Sequence, residues 1–446
     1  MRLFFSSLVC ATAAFAGSAP SQVTFYKDVL PVLQKDCQGC HRPGEAAPMS
    51  FLTYDQTRPW AKGIKQAVLS KQMPPWFADP HYGKFSNDRT LTPNEVETLV
   101  SWADNGAKAG DPKDAPKAIA WVEGWRIGKP DVVIEMPQSF DVPASGTVDY
   151  QYIVVPMGLK EDAYVQMAEA RPGNPAVVHH ILAFIREPGS PVFRDAKPGV
   201  PFVPKDHQRT ENLTPEQRKK LSESSGMGFI GDLLAGYAPG TVPFVMRPGE
   251  ARLVKAGSDM ILQMHYTANG KAQSDKSRIG LVFAKQKPEA RVMTLAAGTN
   301  DFAIPPGDPN YEVDAKLKLQ HDVTLVSFLP HMHFRGKDFE YRVVYPTGET
   351  ETLLAVPHYD FNWQLTYELA KPKFLPKGTV IECTAHFDNS ANNKYNPDPT
   401  KTVRFGEQTW EEMMLGFFEV SAPMDVTAMD IMRGPAPPRK ENSGLE

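Results

Sequence analysis

Cysteine is scarce in this chain. Four are spread over 446 residues, too few for the disulfide frameworks that staple small exported domains. Blocks of one charge are missing too: 48 Lys and Arg stand against 52 Asp and Glu, a formal charge of −4. Mixed charge of that kind leaves no nucleic-acid footprint, so no nucleic-acid partner is expected. Beyond the first sixteen residues no apolar run approaches bilayer length, and no stable membrane insertion is expected. Proline, by contrast, is plentiful at 41 residues. With ordinary apolar and aromatic content, that excess favours loop-rich β domains over a helical bundle or disorder. The length allows about three domains.

The one strongly apolar stretch runs from Met1 to Ala16, with Arg2 ahead of a short hydrophobic run and Ala14-Phe15-Ala16 before Gly17. It reads as a secretory signal over residues 1–16, too short to span a bilayer. The protein is therefore expected to be exported, periplasmic or secreted. Cys10 leaves with the signal, Cys383 stands alone, and Cys37 and Cys40 form a pair.

That pair lies in Cys37-Gln38-Gly39-Cys40-His41, the C-x-x-C-H arrangement of covalent c-type haem attachment. Each thiol can form a thioether with a haem vinyl group, and His41 follows where it can bind the iron from one side. Phe25, Val29 and Leu33 share one helical face just before the motif. Thr92-Pro93-Asn94-Glu95 is a capping box with Pro at the first helical position; Val96, Leu99, Val100 and Ala103 follow on one face, and Gly106 is a stop. Residues 22–110 thus read as a small all-α haem domain and resemble a class I cytochrome c. A distal thioether is expected from Met73, in the proline loop Gln72-Met73-Pro74-Pro75-Trp76, with Met49 as the rival.

Residues 111–121 form a polar, proline-bearing linker. From residue 122 short apolar runs such as Tyr152-Ile153-Val154-Val155 and Met260-Ile261-Leu262 alternate with Pro and Gly, the punctuation of β-sandwiches. Two all-β, jelly-roll-like sandwiches are expected, over 122–286 and 287–425, with residues 426–446 as a tail. Thr214-Pro215-Glu216-Gln217 reads as the start of a short surface helix within the first.

Of the eleven histidines, five fall in three clusters within strand-like sequence: His179-His180, His265 in Gln-Met-His-Tyr, and His331-Met332-His333. With a side-chain period of two, His331 and His333 point to one side and can share a metal. His179 and His180 point apart in a regular strand. Both reach one ion only if the backbone twists or bulges there, or if they use different ring nitrogens.

The order His-His, Gln-Met-His-Tyr, His-Met-His-Phe-Arg-Gly and Glu411-Glu412-Met413 is similar to the copper type II, ascorbate-dependent monooxygenases, which include the peptidylglycine α-hydroxylating and dopamine β-monooxygenases. The resemblance covers roughly residues 125 to 425 and extends to Pro357-His358-Tyr359 and Glu382-Cys383-Thr384. It implies that His179, His180 and His265 hold a first, electron-storing copper. It likewise implies that His331, His333 and Met413 hold a second, at which O2 is used and a substrate C–H bond attacked; Met414 is the neighbour that a shifted strand would offer instead. The chain also departs from that pattern. Met414 stands where animal members have a cysteine, so Cys383 is expected as a buried free thiol. Leu329, Leu415 and Phe417 replace the polar groups with which the amidating members clamp a peptide carboxylate, which hints at a less polar substrate.

The expectation is therefore an exported haem- and copper-dependent monooxygenase with one covalent haem c and two copper ions. It would use O2, a small organic substrate and an external electron donor, electrons passing from haem to the first and then the second copper. A redox or copper-binding carrier that oxygenates nothing is the alternative. His358 and His386 match no ligand position and are expected to make ordinary hydrogen bonds; His81, His207 and His321 are expected on the surface.

Overall fold

The computed structural model describes residues 22–45, 47–122, 124–204, 214, 231–238 and 241–433. The signal segment, His207, the helix expected from Pro215 and the stretch from 434 lie outside them. The described chain divides into two compact units, one of residues 22–42, 49–73 and 91–119, the other of 43–48, 74–90 and everything from 120 on.

The first unit is made of short helices. Phe25–Val29 and Leu30–Asp36 run into the Cys-x-x-Cys-His motif, Ala61–Leu69 follows, and Pro93–Asp104 closes the unit. Phe25, Val29 and Leu33 are fully buried, as their spacing predicts, and meet Leu99 and Trp102 of the last helix. Each such side chain contributes about 1.5–3 kcal/mol of transfer free energy. The capping box is formed: Glu95 N donates to Thr92 Oγ1 at 3.3 Å, and Thr92 N to Glu95 Oε2 at 2.8 Å. Gly106, at φ +85°, ends the helix in the left-handed region that glycine adopts without strain.

The second unit consists of β-sandwiches. In the first, Gln151–Pro156, Asp259–Tyr266, Val178–Arg186 and Asp232–Tyr237 form one sheet, and Val132–Glu135, Arg278–Phe283, Ala163–Arg171 and Glu250–Val254 form the other. Ile153, Ile181 and Leu262 from one sheet and Val165, Ile279 and Leu281 from the other share a buried core. In the second sandwich, Ala290–Thr299, Met414–Pro423, Val323–His331 and Tyr367–Leu375 pack on Tyr311–Lys318, Val380–Phe387, Gly336–Val344 and Thr350–Val356. Period-two burial is plain in Val380–Phe387, where Ile381, Cys383, Ala385 and Phe387 are all fully buried. Cys383 is a buried free thiol, as expected. Opposite it, a Cβ on Gly416 would lie 2.4 Å from its Sγ, so only glycine fits.

Three boundaries differ from the sequence reading. The sandwiches are not separated at residue 286: Ala290 and Arg291 pair in parallel with Glu250 and Ala251, so one sheet runs through both. The folded chain does not stop at 425 either. Thr427 and Asp430 cap a helix, Ala428–Arg433, whose Ile431 is fully buried. Finally, residues 74–90 do not belong with the helical unit as the 22–110 assignment had it. Trp76, Phe77 and Phe85 pack on the core of the second sandwich, and Asp79 N, Ser86 N and Ala370 N bond to Ala355 O, Glu368 O and Lys84 O, each at 2.8 Å. Apolar side chains and edge hydrogen bonds together draw this strap onto the sheet. Among the described residues, no helix is long and apolar enough to cross a membrane.

Candidate metal centres

His180 and His265 face each other across the antiparallel pair Val178–Arg186 and Asp259–Tyr266. The register shifts between Val178 and His180, which makes His179 a bulge residue. The bulge turns two adjacent histidines toward one point, the first of the routes the sequence left open. Ligand nitrogens of His179, His180 and His265 all lie within 4.8 Å of one another. His179 Nδ1, His265 Nδ1 and both ring nitrogens of His180 are buried without a hydrogen-bond partner. Burial pushes the pKa of His179 down to about 4 and that of His265 to about 3, and it carries His180 well below the ordinary histidine value, helped by its histidine neighbours. Three neutral imidazoles with unmet lone pairs and no buried acid among them form a donor set that suits copper.

His331 and His333 end and follow the strand Val323–His331, with ring centroids 5.2 Å apart. Here the protein engages one nitrogen of each ring. His331 Nδ1 lies 2.8 Å from Gln364 Oε1, and His333 Nδ1 lies 3.2 Å from the Glu411 carbonyl oxygen. An Nδ1–H donating to an oxygen leaves the Nε2 lone pair free for a metal. His333 Nε2 is buried without a partner. Burial lowers the pKa of both, His331 to about 4. Beneath them, fully buried Glu412 accepts from His333 N at 2.8 Å and Arg335 N at 2.7 Å. Burial raises its carboxyl to about 8, against the pull of those amides and of Arg335.

Met413 precedes the strand Met414–Pro423, in which Leu415 pairs with His331. Alternation places Met413 on the face of Leu415 and His331, whereas Met414 is fully buried in the opposite, core face. Phe417 shares the former face, its ring centroid 6.1 Å from that of His331. His331, His333 and Met413 thus lie at one end of the paired strands Val323–His331 and Met414–Pro423, with Leu329 opposite Phe417.

The two clusters are neighbours. Phe361 stacks on His179 at 5.4 Å and meets His333 edge-on at 6.2 Å. The Tyr150 ring also packs on the first cluster, 4.7 Å from His265 and 5.1 Å from His180. Tyr150, Phe361, Gln364 and the buried state of Glu412 escaped the sequence reading. Only Glu412 had a signal, its place in Glu-Glu-Met.

In the helical unit, Cys40 N and His41 N both bond to the Cys37 carbonyl, a helical turn that sets Cys37, Cys40 and His41 on one side. Burial pushes the Cys37 thiol up to about 12, an environment better suited to an uncharged thioether than to a thiolate. The His41 ring stacks on Phe51 at 4.3 Å; its Nδ1 is buried beside the Met49 backbone, outside hydrogen-bonding geometry. The backbone of Met49 is therefore on the His41 side. These residues fit a c-type haem.

Elsewhere, His81 and His358 are exposed and His321 is half-buried. His386 bonds to Asp338 at 2.6 Å and to Glu312 at 3.2 Å.

No family model matches the chain, and no curated protein does. Among solved structures, it aligns with a structure of infectious bursal disease virus Gx strain at 8% identity, covering 68% of this chain and 74% of that one, TM-score 0.19. A crystal structure of infectious bursal disease virus VP2 subviral particle aligns at 8% identity (66% and 72% covered, TM-score 0.19), and the crystal structure of the STIV MCP at 9% (59% and 95%, TM-score 0.19). Likenesses this slight carry no argument about this chain.

Proposed function

We propose that the protein is an exported haem- and copper-dependent monooxygenase, with an external electron donor and with haem and two copper ions as its redox groups. The reaction hydroxylates a C–H bond of a small organic substrate: R–H, O2, two electrons and two protons give R–OH and water. One observation carries the reading. Two sets of imidazoles that burial keeps neutral, a histidine triad and a histidine pair on the strand face shared with Met413, flank one aromatic ring, that of Phe361. The family resemblance in the sequence supports the same division of labour.

Copper at His179, His180 and His265 and at His331, His333 and Met413 would supply the oxygen chemistry, and haem at Cys37, Cys40, His41 and Met73 would supply one-electron transfer. The chain's own contribution is positional. Gln364 and the Glu411 carbonyl fix the protonated nitrogen of His331 and His333, and Glu412 anchors the backbone amides of His333 and Arg335. Leu329, Leu415, Phe417 and Phe361 surround the second cluster with apolar surface that limits water near the reacting carbon.

Stopped-flow mixing of pre-reduced protein with O2 tests the reading. Haem oxidation that is fast only when copper is loaded is expected, together with one 18O atom from 18O2 in the product. A copper-loaded protein that exchanges electrons but never incorporates oxygen is a redox carrier, and that result overturns the proposal.

A further inference from the structure

A cavity of about 710 Å3, counting its open mouth, lies in the β unit beside both histidine clusters. Leu182 and Leu233 line it from the first sandwich and Leu329 and Leu365 from the second, with Trp76 contributed by the strap. His180 reaches it from one cluster, and Gln364, which holds His331, reaches it from the other.

Two polar features narrow the occupant. Gln364 uses its Oε1 on His331, while its Nε2 is buried without a hydrogen-bond partner. A buried donor left unmet is unfavourable, and a ligand oxygen in the cavity would satisfy it. Beside His180, which burial keeps neutral, the wall carries one basic and one acidic side chain, Arg89 and Glu368. Burial raises the Glu368 carboxyl, and Ser86 and Arg89 oppose the rise. With its charges balanced, the wall offers no net attraction to an ion.

We propose that this cavity seats the organic substrate, a small, uncharged and mostly apolar molecule whose one carbonyl-like oxygen accepts a hydrogen bond from Gln364 Nε2. Calling the occupant a substrate rests on the monooxygenase reading; the binding site itself does not. Gln364 is then a positioning residue whose single amide sets the tautomer of His331 and the place of the ligand. Trp76 and Arg89 come from the strap that interrupts the helical stretch of the sequence, so that segment determines which sizes and polarities are admitted.

Titration calorimetry on the full-length, copper-loaded protein tests this with acetophenone, ethylbenzene and benzoate. Acetophenone is expected to bind about ten-fold more tightly than ethylbenzene, which matches its shape without the acceptor, and benzoate more weakly than either. Gln364→Glu keeps an acceptor for His331 and removes the donor; it should abolish the preference for the ketone while two coppers remain bound. Gly236→Leu should abolish binding of both neutral probes by filling the space, since a Cβ there meets nothing closer than Leu182 Cδ2 at 3.7 Å. Trp76→Ala should shift preference toward the larger 2-acetonaphthone. Equal affinity for ketone and hydrocarbon, tighter binding of benzoate, no saturable binding, or indifference to Gly236→Leu each overturns the proposal. Binding as described in a protein that never incorporates oxygen overturns the monooxygenase reading instead and leaves the site standing. Oxygenation of a substrate whose affinity ignores Gly236→Leu and Gln364→Glu does the reverse.

Discussion

The two histidine clusters are built on opposite principles. At His331 and His333 each ring has its Nδ1 engaged, by Gln364 and by the Glu411 carbonyl, and the backbone at His333 and Arg335 is held by the buried carboxyl of Glu412. At His179, His180 and His265 no such holder exists among the described residues: a strand bulge gathers the rings, and both nitrogens of His180 stay unmet, with Gln263 close by but outside bonding geometry. The second cluster is preorganised by hydrogen bonds; the first is assembled by backbone geometry and completed only by a metal. Outer hydrogen bonds fix tautomer and orientation and raise ligand basicity, so disturbing the surroundings should affect the second cluster more, whereas removing metal should expose the first.

Acid is the largest lever. In metal-free protein these five imidazoles are neutral in the fold, burial holding His179 and His331 at about 4, His265 at about 3 and His180 and His333 well below the usual value, while the unfolded chain protonates them near 6.5. The unfolded state then binds more protons below 6.5. Stability is fully present above that pH and is lost as pH falls toward 4, by about 1.4 kcal/mol per pH unit for each histidine. Urea midpoints measured with chelator between pH 7.5 and 4.5 should show this. Replacing His179, His180 and His265 together by Asn should flatten the profile more than replacing His331 and His333, and equal flattening would contradict the comparison.

Glu412 gives the next largest effect. Glu412→Ala strips the acceptor from two buried amides and leaves Arg335, itself buried, without its carboxylate neighbour 3.9 Å away. A loss of about 3–5 kcal/mol is expected, with copper lost from the second cluster and retained by the first. Glu412→Gln, which keeps one acceptor, should lose about 1–3 kcal/mol. Denaturation curves paired with copper counts per chain distinguish a local effect from a global one; equal loss from both clusters would mean that Glu412 supports the whole unit.

These groups also show what a sequence can and cannot display. Period two put His331 beside His333, because alternation follows from strand geometry alone, whereas Met413 rather than Met414 came only from the resemblance. The capping box at Thr92 and the buried face of Phe25, Val29 and Leu33 were legible for the same reason: local chemistry writes itself at short spacing. The bulge at His179 could be stated only as a condition, since the shift depends on the partner strand some eighty residues away. Gln364 and Phe361 carry no local signal; their importance comes from where a loop lands. The strap at 74–90 was misassigned because its apolar residues resemble ordinary loop packing until the sheet edge that receives them is known. The helix at 428–433 was hidden by the proline-rich stretch after it.

Gln364 and Gln263 make the comparison sharper, since each lies beside one cluster. Gln364→Ala frees His331 Nδ1 and should weaken copper at the second cluster about 10–100-fold. Gln263 donates to the Tyr152 hydroxyl at 2.5 Å and not to a ligand ring, so Gln263→Ala should change first-cluster affinity by no more than about three-fold, below the 10–100-fold typical of a ligand's holder. Competitive copper titrations read both, and similar losses would mean that the first cluster is also held from outside.

The smallest effect separates two adjacent methionines. Leucine nearly matches methionine in volume, so Met413→Leu and Met414→Leu should each cost less than about 1.5 kcal/mol of stability. Their effects on copper should differ in kind. Met413 shares the face of His331, and losing its soft sulfur should weaken Cu(I) at the second cluster about ten-fold, with Cu(II) little changed, because thioethers favour the reduced ion. Met414 lies in the core with Cys383 and Phe418, and its replacement should leave both oxidation states alone. A Cu(I)-selective chelator titrated against each variant provides the measurement. If Met414→Leu, and not Met413→Leu, releases Cu(I), the strand sits one residue out of the register with His331, and the donor set of the second cluster has to be redrawn.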